Sequence, residues 1–69
     1  MNVILQMKAI PSENDDQLTY MIKITQGADQ ITKEEDLLHE IKDSQPAKQG
    51  IISVQRLSTS IWAITTHKE

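Results

Sequence analysis

Residues 18–25 read LTYMIKIT, which sets Leu18, Tyr20, Ile22 and Ile24 in one row and Thr19, Met21, Lys23 and Thr25 in the other. A period of two is the signature of a strand, and a row of four large apolar side chains has to be covered by something. The same alternation runs through Val3–Ile10, where Val3, Leu5, Met7 and Ala9 share a side opposite Gln6 and Lys8. Pro11 ends that run, and the polar PSENDDQ stretch joins the two strands into a loose hairpin.

A helix is predicted next, within ITKEEDLLHEIKDSQP. Thr32 and Glu35 have the spacing of a capping box, and Glu34, Glu35 and Asp36 place negative charge in the first turn, where the helix dipole favours it. Leu37, Leu38 and Ile41 give a narrow apolar stripe, and Pro46 is expected to stop the helix. So short a helix does not stand alone in water and must lie on the sheet. After PAKQG, the segments IISVQRL and SIWAITT form a second hairpin.

The order defines an α+β fold: a two-layer β-β-α-β-β domain over residues 1–69, with a four-stranded, largely antiparallel sheet and one helix packed on one face. A chain of 69 residues without cysteine has neither disulfides nor thiolate metal sites to hold it. A core of this size supplies roughly 3–5 kcal/mol, so tight packing or self-association must hold the fold. The isoleucine-rich, phenylalanine-free composition fits a pleated, half-buried surface.

The fourth strand has two apolar rows: Trp62, Ile64 and Thr66 on one side, Ile61, Ala63 and Thr65 on the other. The third is similar, with Ile52 and Val54 opposite Ile51, Ser53, Gln55 and Leu57. If the only tryptophan, Trp62, fills the interior beneath the helix, then Met21, Ile51, Leu57, Ile61 and Ala63 line the uncovered face. An apolar patch in water marks an interface, and a homodimer is its simplest occupant, with a different protein as the other choice. The expectation is a non-enzymatic interaction or regulatory domain that self-associates through its open face or an edge strand.

The second reading turns Trp62 outward, beside Lys8, Lys23 and Arg56, as a single-stranded nucleic-acid contact. A formal net charge of -3 and a single tryptophan argue against it.

No catalytic constellation stands out. HEIKD superficially resembles a metalloprotease helix, but Asp43 stands where a second histidine would be needed beside His39. The acidic SENDD loop lacks the ligand spacing of a calcium loop, and the two glycines, Gly27 and Gly50, make no phosphate-cradling loop. His67 has no nucleophile partner in sequence. No metal and no cofactor is therefore expected. The N-terminal MNVILQMKAIP has no basic region ahead of a short apolar run, so it reads as a strand rather than a signal peptide, and no stretch is long enough to span a membrane. A cytoplasmic location is the remaining expectation.

Overall fold

A computed structural model describes residues 2–68. The strands are β1 (Ile4–Pro11), β2 (Gln17–Gln26), β3 (Ile51–Arg56) and β4 (Ile61–His67). Between β2 and β3 the chain makes a single 3-10 turn, Ala28–Gln30, and two short helices, α1 (Glu34–Glu40) and α2 (Gln45–Lys48). The sheet order is β1-β2-β4-β3 and every pairing is antiparallel. The expected α+β architecture is present: two hairpins lie side by side, with β2 and β4 in the centre.

Those two strands carry the core because their alternating rows supply its bulk. Tyr20, Ile22 and Ile24 from β2 and Trp62, Ile64 and Thr66 from β4 are all buried. Ile22 pairs with Trp62 and Tyr20 with Ile64, so large side chains stand directly opposite each other on the covered face. Ile31, Leu37, Ile41 and Pro46 close over them from the helical layer. Val3, Leu5, Met7, Ile51 and Val54 pack around the margin, half-buried.

The helical layer departs from the single helix expected. α1 ends after seven residues, with Ile41 closing it through a backbone bond to Leu37. Pro46 does not stop that helix; it lies in the first turn of α2, where its missing N–H costs nothing and its ring is buried. The cap also shifts by one residue. Asp36, not Glu35, reaches back: its Oδ2 accepts from the Lys33 N–H at 3.0 Å, the Thr32 N–H at 3.1 Å and the Thr32 hydroxyl at 3.1 Å. Lys33 occupies the N-cap position, and an ammonium cannot accept a hydrogen bond, so only the acidic half of a capping box operates.

These bonds, first from Lys33 and then from Thr32, hold the Asp36 carboxyl below its ordinary range. A depressed folded-state value means the carboxylate's contribution to stability is complete above the ordinary 3.8 and is lost as pH falls below it. Asp36→Asn is therefore expected to lower stability at neutral pH and flatten its decline in strong acid. Denaturant titrations of both proteins over that range check this.

Two left-handed positions govern how the layers connect. Gly27, at φ 84°, turns the chain out of β2, and a Cβ there would sit 2.9 Å from the Asn2 carbonyl oxygen and 3.1 Å from Val3 Cγ2. Gly50, at φ 87°, turns it into β3, where a Cβ would meet the ring of the exposed His67 at 3.1 Å. Backbone and a fixed neighbour crowd the first site, while a side chain that can swing aside crowds the second. Gly50→Ala is expected to cost about 1 kcal/mol and Gly27→Ala about 2–3 kcal/mol, the excess being the clash with backbone. Equilibrium unfolding of the two variants measures the difference.

Candidate functional site

The helical layer covers one side of the sheet. The other side is built from the alternate residues of each strand, and the register arranges them in rows. Lys8, Met21, Ala63 and Gln55 form one row across the four strands. The next runs Gln6, Lys23 and Ile61, continued by Leu57, whose N–H donates to the Ile61 carbonyl at 2.8 Å. A third contains Ile10, Thr19, Thr65 and Ser53. Met21, Ile61 and Ala63 are half-buried by their neighbours, whereas Leu57 is 50% exposed.

A depression of about 350 Å³ opens between β1, β2 and β4, with Gln6, Lys8, Met21, Lys23 and Ile61 in its lining. Lys8 pairs with Met21 and Lys23 with Gln6, so the two lysines are diagonal neighbours, about 7–8 Å apart at the backbone. Apolar side chains lie at one flank of this pair and the β1 edge at the other.

Four of the five residues expected on the uncovered face are there: Met21, Leu57, Ile61 and Ala63. Ile51 is not. The β3–β4 register slips between Ile51 and Ser53, so Ile51 pairs with buried Thr66 and packs against the core, while the next residue, Ile52, is exposed. A bulge adds one residue to a strand and reverses the parity of everything before it. Nothing in IISVQRL signals the slip.

The nucleic-acid set does not come together. Lys8 and Lys23 lie on the open face, but Trp62 is 4% exposed beneath the helical layer and Arg56 pairs with it on that side. The Arg56 guanidinium lies over the indole, 5.2 Å from the ring centroid. It also donates to the carbonyls of Ser58 and Thr59, both at 3.2 Å, and of Thr32 at 3.4 Å. It thus fastens the β3–β4 turn to the chain entering α1 and caps the indole as it does so. Tyr20, the other aromatic, is also buried. Neither Trp62 nor Tyr20 is left on the open face for a base to stack upon, and the one ring with that parity is the imidazole of His67 at the end of β4.

A polar cluster beneath α2 escaped the sequence reading. Gln49 Oε1 accepts from the Tyr20 hydroxyl at 2.6 Å and lies 3.3 Å from the Thr66 hydroxyl, whose single proton also has the His67 carbonyl within reach at 3.0 Å. One amide oxygen thereby binds the Tyr20 hydroxyl and adjoins that of Thr66, which holds the end of α2 against both central strands. These three residues come from distant parts of the chain, and no local pattern marks them.

Among the described residues, no group of three or more His, Cys, Asp or Glu side chains is placed to hold a metal ion. His39 and Asp43 are both exposed. Among the described residues, no helix is long and apolar enough to cross a membrane. No protein-family model, curated protein or solved structure matches the chain.

Burial of the indole has a direct optical consequence. Trp62 emission is expected to be blue-shifted in the native protein, shielded from acrylamide, and unchanged when a single-stranded oligonucleotide is titrated at low salt. Quenching by the oligonucleotide would mean that the ring reaches solvent.

Proposed function

We propose that this chain is a non-enzymatic protein-interaction domain and that the open sheet face is its contact surface. The observation that carries this reading is the one-sidedness of the cover: the helical layer shields Ile22, Ile24, Trp62 and Ile64, and leaves Met21, Ala63, Ile61 and Leu57 without a roof. A contiguous apolar group on a small domain is a contact surface by default. A second copy of the chain or a different protein would cover it.

The test separates a patch that serves binding from one that serves the fold. Met21→Lys combined with Ile61→Lys is expected to change folding stability by no more than about 1 kcal/mol, as for substitutions outside a core. A loss of several kcal/mol would show that the patch supports the fold, and the interaction reading would fall. Sedimentation velocity across micromolar concentrations then identifies the occupant. Association that the double variant abolishes assigns the face to a second copy, and a monomer throughout leaves it for a foreign protein.

A further inference from the structure

The acidic residues of the chain are kept out of its sheet, whereas the basic ones are divided, with Lys33, Lys42 and Lys48 in the helical layer. Of the ten Asp and Glu residues, the nine among the described residues are Glu13, Asp15, Asp16, Asp29, Glu34, Glu35, Asp36, Glu40 and Asp43. None lies in a strand; all are in the β1–β2 loop, the 3-10 turn, α1 and the turn after it. The strands carry Lys8, Lys23 and Arg56, and the two lysines lie on the open face. A chain with a formal net charge of -3 therefore presents a binding face on which the only charges of fixed sign among the described residues are positive.

That sorting bears on what can sit there. In a two-fold, face-to-face pair of identical copies, Lys8 and Lys23 of each would be pressed against a surface whose described residues include no carboxylate. Burying cations opposite cations or neutral groups is strongly unfavourable. A polynucleotide would satisfy the lysines, but it would find no tryptophan or tyrosine beside them to stack on and would run past the acidic loop and helices. A protein segment that brings both carboxylates and an apolar side chain meets every feature present. The apolar side chain enters the depression over Met21 and Ile61, and the carboxylates pair with Lys8 and Lys23 at its rim.

From this charge complementarity we infer that the occupant of the open face is an acidic protein segment with an apolar anchor. The inference rests on the interaction reading above and specifies its partner.

The probe is a synthetic amphipathic peptide with leucines on one side and glutamates on the other. Its counterpart has every glutamate replaced by lysine. Each is titrated into the isotopically labelled full chain and followed by amide chemical shifts. The glutamate peptide is expected to shift amides of β1, β2 and β4 around Lys8, Met21, Lys23 and Ile61, with an affinity that falls as salt is raised. The double reversal Lys8→Glu with Lys23→Glu is expected to weaken it about tenfold or more while improving binding of the lysine peptide. Both positions are exposed, and unchanged core resonances would confirm that the variant folds.

Equal binding of both peptides, shifts confined to the helical layer, no binding of either, or indifference to the charge reversal would overturn the inference. So would an oligothymidine that binds the same face more tightly than the glutamate peptide. Self-association abolished by Met21→Lys with Ile61→Lys would also overturn it, while leaving the interaction reading intact.

Discussion

Everything in this fold depends on the ladder between β2 and β4. Each hairpin is local and, as an isolated pair of strands, marginal in water. Only the pairing of Gln17–Lys23 with Ile61–His67 joins them, and it sets Ile22 against Trp62 and Tyr20 against Ile64. It is also the one ladder of the three without a register shift. Because side chains alternate, the same register that gathers the buried row under the helices also gathers Met21, Ala63 and Ile61 on the far side. Core and open face are two consequences of one pairing.

The helical layer that completes the core is economical. Seven residues of α1 and four of α2 contribute Leu37 and Pro46 as buried side chains, with Ile31 and Ile41 from the flanking turns. Full burial of an aliphatic side chain is worth about 1.5–3 kcal/mol, so these few residues matter to a domain of this size. Helices so short are held by tertiary contacts and by their ends. Asp36 secures the start of α1, and Gln49 secures the end of α2 through Tyr20 and Thr66. Acidic residues then have a natural place in this layer, near the positive end of α1 and in water. Among the described residues, the strands carry none of them.

Much of this was legible in the sequence, because alternation in Leu18–Thr25 and in Ile61–Thr66 is a direct record of which faces are covered. Alternation puts Trp62 with Ile64 and sets Ile61 and Ala63 opposite them, but both rows of that strand are apolar, so which one meets Ile22 beneath the helices depends on the pairing with β2. The same parity set Arg56 apart from Leu57, on the side of Val54, so its separation from Lys8 and Lys23 was readable as well. Ile51 was misplaced because a bulge leaves no mark on composition, and one inserted residue inverts the count. Pro46 was misread because a proline both ends one helix and suits the first turn of another. Gln49 was invisible because its role depends on two hydroxyls brought near by tertiary contacts alone.

The edges of the sheet bear on the proposal that binding belongs to the face. An unpaired strand edge invites another strand, and small sheets blunt theirs with bulges, prolines and charges. Both register shifts fall at the edge strands, between Ile4 and Leu5 in β1 and between Ile51 and Ser53 in β3. β1 also carries Lys8 in its middle and closes on Pro11, which has no N–H to offer. β3 is only six residues long. Lateral growth of the sheet is thus discouraged at both sides, whereas the open face has no comparable protection beyond two lysines near one margin. Lysines so placed repel a like-charged face and admit an acidic one. Blunted edges and a face whose described charges are positive are what the proposed acidic neighbour requires, and they count against indiscriminate association.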